Sequence, residues 1–176
     1  MQKIQIKNWI NGNFDNMKKQ YTLNELCQKA ASYCSISEHC IADVEKKLKN
    51  WKVSEPDRIK IIDKLIENDF INEKRYSTSF VRDKFRFNKW GKIKISMALR
   101  ERKIDNNLIS NALNEIDDGE YEELLGTLLK NKEKSIKYEY EYEKQGKLFR
   151  FAQSRGFENN IIEKVLRNLP LTSEDG

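Results

Sequence analysis

One spacing of apolar residues occurs three times along the chain. It is measured from an origin residue, which is Val53 in the first copy, Ile104 in the second and Phe157 in the third. Apolar residues lie nine and five positions before each origin, and eight, nine and twelve positions after it. On each side of the origin the spacing follows the period of a helix, but the phase changes at the origin itself. The same phase change in three segments indicates tandem repeats of about 50 residues.

The phase change predicts a turn between two helices. The residue that follows the origin is Ser54 in the first repeat, Asp105 in the second and Glu158 in the third. Serine and aspartate favour the position before a helix, because their side-chain oxygen accepts an unpaired backbone N–H of the first turn. Pro56 falls in that first turn, where its missing N–H costs little. Each repeat therefore ends in two helices.

A further helix is predicted before each pair. Thr22 and Glu25 have the spacing of a capping box, which opens a helix that runs to about Cys34. Asn72 opens the corresponding helix of the second repeat, and a long helix is predicted from Tyr121 to about Lys144 in the third.

The sequence therefore predicts an all-α fold of three tandem three-helix repeats that form an elongated, curved helical rod. Repeats of this size are too small for a good core alone, so neighbours should stack. The predicted division is an N-terminal arm, either a hairpin or disordered, at 1–20, repeats at 21–69, 70–118 and 119–170, and a tail at 171–176.

Composition excludes several classes of protein. No apolar run approaches the roughly 20 residues that a membrane helix needs. The first residues lack the apolar segment of a signal peptide, so a cytoplasmic protein without membrane contact is expected. The cysteines number three, which favours free thiols in a reducing compartment over disulfides.

No group of residues predicts catalysis, a cofactor or a metal site. The Gly-Lys pairs at 91–92 and 146–147 lack the other residues of a phosphate-binding loop. His39, the single histidine, has no predicted partner and is expected on the surface. Adjacent on a helix, His39 and Cys40 would point in directions too different for one tetrahedral centre. The acidic cluster at 115–123 is interpreted as a solvated linker before a helix.

The segment from Arg82 to Lys103 is strongly basic. Its net charge is +7 in 22 residues, whereas the whole chain carries +5. Such local charge predicts binding to a polyanion or to an acidic partner. Phe85, Phe87 and Trp90 lie among the cations and are expected to turn into the core, although aromatic faces can also stack on unpaired bases. A weaker basic set follows at 130–155. The candidate binding residues are Arg82, Lys84, Arg86, Lys89, Trp90, Lys92, Lys94, Arg100, Arg102, Lys103, Arg150 and Arg155.

Over roughly residues 23–170 the sequence resembles the RecX family, bacterial regulators of the recombinase RecA. The resemblance depends on the order and spacing of short motifs. These are AASYC at 30–34, KLKNW at 47–51, FINEKRY at 70–76, FVRDK at 80–84, KWGKIKI at 89–95, LRERKI at 99–104 and RFAQSRGF at 150–157. The sequence departs from the family at Ser37–Cys40, where members often carry an arginine-rich stretch, and at Asn72 and Glu73, where a more acidic pair is common.

The resemblance implies a regulatory protein that is not an enzyme. Proteins of this family bind RecA–DNA filaments along the helical groove and suppress ATP hydrolysis, strand exchange and the cleavage of other proteins that RecA promotes. The implied partners are the RecA filament and, weakly and without sequence preference, single-stranded and double-stranded DNA. A monomer is expected. The alternative is a helical nucleic-acid-binding protein that is not an enzyme and has no recombinase partner.

Overall fold

The computed structural model describes residues 21–169, which form helices and no strands. The nine helices of this part of the chain are α1 Leu23–Ile36, α2 Ile41–Asn50, α3 Glu55–Glu67, α4 Glu73–Arg86, α5 Lys92–Glu101, α6 Asn106–Leu113, α7 Asp118–Glu133, α8 Glu141–Arg155 and α9 Asn159–Asn168. The predicted arm at 1–20 and the tail at 171–176 lie outside the described residues.

The helices pack in three successive groups of three. Helices α1, α2 and α3 contact one another, as do α4, α5 and α6, and α7, α8 and α9. We call these groups repeats 1, 2 and 3. The all-α fold of tandem three-helix repeats is therefore confirmed. None of the described helices has the length and apolarity needed to pass through a lipid bilayer.

The predicted apolar spacing corresponds to the core positions of the repeats. Four positions are buried in all three repeats. They are the origin, the residues nine and five positions before it, and the residue eight positions after it. The residue nine after the origin is half-buried in every repeat, as Leu113 is in repeat 2. The phase change is the turn between the second and third helix, as predicted.

The helix starts follow the predicted capping residues in most cases. The Thr22 hydroxyl accepts the backbone N–H of Glu25 at 3.3 Å, and the Glu25 carboxylate accepts that of Thr22 at 2.8 Å, which completes the capping box. Ser54 and Asp105 cap α3 and α6. Glu158 precedes α9 without capping it by a side-chain hydrogen bond.

The long helix predicted from Tyr121 to Lys144 is wrong, because the chain bends between α7 and α8. Ile136 of the bend is half-buried and packs against the core. The buried Lys144 ammonium lies 3.1 Å from a Glu133 carboxylate oxygen and 3.0 Å from one of Glu141. These ion pairs join the end of α7 to the start of α8 across the bend, which a continuous helix would not allow.

The apolar core is divided unequally between the repeats. Repeat 1 has a core of its own, which includes Leu48 and Ile61. Repeats 2 and 3 share one continuous core, which includes Leu99 and Leu148. Cys40, which precedes α2, belongs to this larger core, so the start of α2 is inserted into repeat 2. Burial raises the pKa of its free thiol to about 11.

Backbone hydrogen bonds join repeats 2 and 3. The N–H of Gly91 donates to the carbonyl of Arg155 at 2.8 Å, and that of Ile93 donates to the carbonyl of Gly156 at 3.0 Å. The buried Tyr121 hydroxyl accepts the N–H of Lys92 at 2.8 Å and donates to the Glu158 carboxylate at 2.5 Å. Burial, followed by the hydrogen bond to Glu158, raises the pKa of this phenol, which therefore stays a neutral donor.

Candidate functional site

Helix α4 divides the basic segment between two surfaces. Val81 and Phe85 are buried and fix the side of α4 that faces the core. At about 100° per residue, Arg82 and Arg86 lie on one flank of this buried stripe, and Lys84 lies on the other. The cations that are continuous in sequence are therefore separated in the fold.

The first set, which we call the α4 patch, consists of exposed residues in the second half of α4 and the turn after it, namely Arg82, Arg86, Phe87 and Lys89. All four side chains are exposed, and the Phe87 side chain is 78% exposed. The expectation that Phe87 turns into the core is wrong, because α4 ends at Arg86 and the next residue leaves the buried stripe. Phe85, by contrast, is buried as expected.

Acidic residues border the α4 patch. Arg82 and Arg86 line a small cleft together with Glu115 and Glu120, at the end of α6 and the start of α7. The nearby carboxylates weaken the attraction of these guanidinium groups for a polyanion. The mixture of charges with an exposed aromatic ring is better suited to a protein surface.

Helix α5 adds exposed apolar residues to repeat 2. Ile93 and Met97 lie one turn apart and are 46% and 56% exposed. At the same distances from the origin, repeat 1 has Ala42 and Lys46, and repeat 3 has Gly146 and Arg150. An exposed apolar pair at this position is therefore particular to repeat 2.

The second surface alternates cations with aromatic rings, and we call it the cation–aromatic belt. The Arg102 guanidinium and the Lys84 ammonium lie 5.0 and 5.2 Å from the ring centroid of Phe80. The Lys84 and Lys94 ammonium groups lie 5.3 and 4.9 Å from that of Trp90.

The belt continues onto repeat 3. The Lys94 ammonium donates to the Ser154 carbonyl at 3.3 Å, and the Arg155 guanidinium donates to the Asn88 carbonyl at 3.3 Å. Arg155 and Lys132 then lie 5.4 and 5.7 Å from the ring centroid of Phe151. The five cations of the belt are Arg102, Lys84, Lys94, Arg155 and Lys132.

Three members of the belt were not among the candidates from the sequence, namely Phe80, Phe151 and Lys132. The first two precede Lys84 and Arg155 by four residues on the same helix. Side chains with this separation are neighbours on a helix surface, so the spacing could have indicated these pairs. Lys132 contacts Phe151 from another helix, and no local spacing indicates that contact.

The remaining candidates have separate positions. The Lys92 ammonium pairs with Asp118 at 3.1 Å and lies over the Tyr121 ring, so Lys92 belongs to the contact between repeats 2 and 3. Arg100 donates to the Asn106 side chain at 3.2 Å. Arg100, Lys103 and Arg150 are exposed and contribute to neither surface as defined above.

The acidic cluster contains a capping residue and ion-pair partners. Asp117 accepts the N–H of Glu120 at the start of α7, and Glu122 pairs with Lys164 of α9 at 2.6 Å. Within residues 21–169, no group of acidic, histidine and cysteine side chains could hold a metal ion.

His39 is half-buried, whereas the sequence predicted an exposed side chain. Its ring stacks on that of Tyr33 with centroids 3.9 Å apart, and its Nε2 lies 3.1 Å from the Ser37 hydroxyl. Because burial disfavours the charged imidazolium, the pKa of His39 lies below its usual value.

Comparison with known proteins places the basic segment in a recognised domain. The family model described as "RecX, second three-helix domain" matches residues 72–113, which are α4 to α6. The chain is 26% identical over 162 residues to Regulatory protein RecX of Lactobacillus johnsonii, covering 92% of this chain and 59% of that protein. It is 30% identical over 142 residues to Regulatory protein RecX of Clostridium botulinum Eklund 17B, covering 74% and 66%.

A solved structure gives the same result at the level of the fold. The crystal structure of RecX from Lactobacillus salivarius matches with a TM-score of 0.76 and 28% identity, over 85% of this chain and 97% of that one. The chain spans about three fifths of the length of the relatives from Lactobacillus johnsonii and Lactobacillus gasseri. On its repeat fold and these likenesses together, the chain belongs to the RecX family of regulatory proteins.

Proposed function

We propose that this protein binds RecA–DNA filaments in their helical groove and inhibits ATP hydrolysis, strand exchange and coprotease activity by RecA. It acts as a monomer in the cytoplasm and without catalysis of its own. The observation that carries the proposal is membership of the RecX family combined with the exposed α4 patch, which lies within the matched segment 72–113.

The α4 patch and the exposed pair on α5 support contact with protein. A polar surface with exposed aromatic and apolar side chains is the usual composition of a protein interface. Phe87, Ile93 and Met97 supply the apolar part, and Arg82 and Arg86 supply hydrogen-bond donors. We assign the RecA contact to this surface of repeat 2.

Tandem repeats supply the proposed mechanism. A row of three repeats contacts more than one filament subunit at the same time, and contacts on both sides of a subunit boundary fix the subunits relative to each other. The filament is then held in a conformation unfit for hydrolysis, or it disassembles. Repeats 2 and 3 form one body through their shared core, which suits them to transmit such a constraint.

The experiment measures inhibition of RecA ATP hydrolysis on single-stranded DNA by a patch variant. We replace Arg82, Arg86 and Lys89 by glutamine, because these side chains are exposed and their loss should leave the fold intact. Lys92 is left unchanged because it pairs with Asp118 between the repeats. The patch variant should need at least about tenfold more protein for half-inhibition, equivalent to about 1.4 kcal/mol of binding.

A variant of repeat 1 provides the matched control. Lys46, Lys60 and Lys64 are also exposed, and their replacement by glutamine removes the same charge. This control should inhibit like the wild-type protein. An equal loss of inhibition in both variants would show that only net charge matters. A patch variant that folds and inhibits like the wild-type protein would show that the α4 patch does not contact RecA.

The alternative, a nucleic-acid-binding protein with no recombinase partner, is favoured by one observation, the cation–aromatic belt. Such a protein would inhibit RecA only by occupying free DNA. It would therefore lose its effect once the DNA is fully coated by RecA, whereas a filament-binding protein would not.

A further inference from the structure

Helix α3 of repeat 1 carries an exposed stripe of isoleucine side chains. Ile59 and Ile66 lie two turns apart on the same side of the helix and are 56% and 43% exposed. Ile62 lies between them, is half-buried and packs against the core of repeat 1. These three residues, which we call the α3 stripe, therefore continue that core onto the surface of the helix.

The repeat fold does not require this stripe. Six positions after the origin, where repeat 1 has Ile59, the other repeats have Ser110 and Glu163. Thirteen positions after the origin, where repeat 1 has Ile66, repeat 2 has Asp117. An exposed apolar stripe that one repeat carries and the others lack points to a contact that is particular to that repeat.

Exposed carboxylates border the α3 stripe. At about 100° per residue, Glu55 and Asp63 lie about 40° to either side of Ile59 around the helix, and Glu67 lies about 80° from it. The two lysines of α3 lie further around, at about 100° and 140°. Among the residues that the structure describes, these three carboxylates form no ion pair. The surface is therefore suited to a segment that combines apolar and basic side chains.

Residues 1–20 have this composition and precede repeat 1 directly. They include four lysines against one aspartate and no glutamate, and their large apolar residues include Ile4, Ile6, Trp9, Ile10 and Phe14. A segment of this length is too short for a core of its own, so it can bury these side chains only against another surface. The segment joins repeat 1 at Tyr21, and 20 extended residues span up to about 70 Å, which is enough to reach any part of α3.

We propose that residues 1–20 dock on the α3 stripe of the same molecule, with isoleucines against the stripe and lysines against the bordering carboxylates. The docked segment enlarges the core of repeat 1, which is separate from the larger core that repeats 2 and 3 share. The proposal involves neither a recombinase nor a nucleic acid. It therefore goes beyond the proposed function and is tested independently of it.

Photo-crosslinking in the full chain tests the contact. The photoreactive residue p-benzoylphenylalanine replaces Gln5, which lies between Ile4 and Ile6, and the crosslinked peptides are identified by mass spectrometry. We expect crosslinks to residues 55–67 of the same molecule. In a mixture of isotope-labelled and unlabelled protein, such crosslinks join peptides with the same label.

Two results of this experiment would overturn the proposal. Crosslinks between labelled and unlabelled peptides would show that a second copy of the chain occupies the α3 stripe. Crosslinks that lie outside α3, or a lack of crosslinks, would show that the segment does not dock there.

Reversal of charge tests the contribution of the lysines. Asp63→Lys together with Glu67→Lys should lower the yield of the crosslink at least about fivefold. Adding Lys3→Glu and Lys7→Glu to this variant should restore the yield, because opposite charges then face each other again. A yield that stays the same after the first reversal, or is not restored by the second, would overturn the pairing of lysines with the bordering carboxylates.

A double-mutant cycle tests whether docking stabilises repeat 1. The stripe variant combines Ile59→Ser with Ile66→Ser, and the segment variant combines Ile4→Ser with Ile6→Ser. Each should accelerate hydrogen exchange in α1 to α3 at least about threefold. The combined variant should exchange no faster than the faster of the two, because the second change removes a contact that is already lost. Effects that multiply would show that the two sites do not interact.

The exposed pair on α5 provides the matched control. Ile93→Ser with Met97→Ser also removes two exposed apolar side chains, but from repeat 2. Its effect should multiply with that of the segment variant, since the two sites are independent. A control that is coupled to the segment as strongly as the stripe variant would overturn the assignment to α3. Circular dichroism checks that every variant retains its helices, as expected for exposed positions.

Discussion

Gly91 and Gly156 let repeats 2 and 3 approach through their backbones. A Cβ atom at Gly91 would overlap the carbonyl of Gly156 and the backbone N of Phe157. Gly156 has φ +85°, a left-handed conformation that glycine adopts at no cost in strain. Neither position can take a side chain without movement of the other repeat.

Gly91→Ala is therefore expected to destabilise the protein by about 1–3 kcal/mol or more, as overpacking does in a fixed core. Gly126→Ala is the matched control, because its Cβ would meet only Val165 Cγ1 at an ordinary 3.8 Å. In the middle of α7 it should stabilise by about 0.5–1 kcal/mol. Urea unfolding followed by circular dichroism measures both, and equal effects of the two substitutions would refute the close backbone contact.

His39 provides a pH-dependent contribution to stability. Because burial lowers its folded-state pKa below the usual 6.5, the unfolded chain takes up the proton first as the pH falls. The wild-type protein should therefore lose stability as the pH falls below that value, relative to His39→Gln. The urea midpoints of the two proteins at pH 7.5 and pH 5 test this, and parallel midpoints would show that His39 titrates alike in both states.

At the scale of the helices, the hydroxyl of Tyr121 on α7 connects three elements. It accepts the N–H of Lys92 at the start of α5 and donates to the carboxylate of Glu158 before α9. Tyr121→Phe would leave the Lys92 N–H without this acceptor in a half-buried site. A loss of about 1–3 kcal/mol is expected for such a group. Tyr142→Phe is the control, since Tyr142 is 75% exposed and should change stability little. A Tyr121→Phe variant as stable as the wild-type protein would mean that water replaces the hydroxyl.

Helices with strong local signals are the ones that the sequence predicted well. Capping residues such as Thr22 and Asn72 fix a helix start through contacts within four residues, so they can be identified without the fold. The break between α7 and α8 depends on Lys144 meeting Glu133, which lies in the preceding helix. The sequence has no glycine or proline within the bend, so no local signal separates the two helices.

At the scale of the whole molecule, the separate cores predict that repeat 1 opens independently. Leu48→Ala creates a cavity in the core of repeat 1 and should lower its stability by about 2–5 kcal/mol. Hydrogen exchange measured by mass spectrometry should show faster exchange in α1 to α3 and little change in α7 to α9. Leu99→Ala, in the shared core, should accelerate exchange in repeats 2 and 3 together. Faster exchange throughout the chain in Leu48→Ala would contradict two cores.

The candidate surfaces were only partly predictable for a related reason. The excess of cations in 82–103 is evident in the sequence, and so is its likeness to the RecX family. The division of these cations between two flanks of α4 requires knowing that Val81 and Phe85 face the core. The continuation of the belt from Lys94 to Arg155 requires the contact between repeats 2 and 3, and the contact of Lys132 with Phe151 requires the packing of α7 against α8. No local spacing encodes either contact.

Whether the protein acts on the RecA filament itself can be tested by the order of addition. RecA is first assembled on single-stranded DNA until no free DNA remains, and the wild-type protein is then added while ATP hydrolysis is followed. We expect inhibition at amounts well below one molecule per RecA subunit, because one row of repeats contacts several subunits. Inhibition that occurs only when the protein is added before RecA would contradict filament binding and would leave DNA binding as the function.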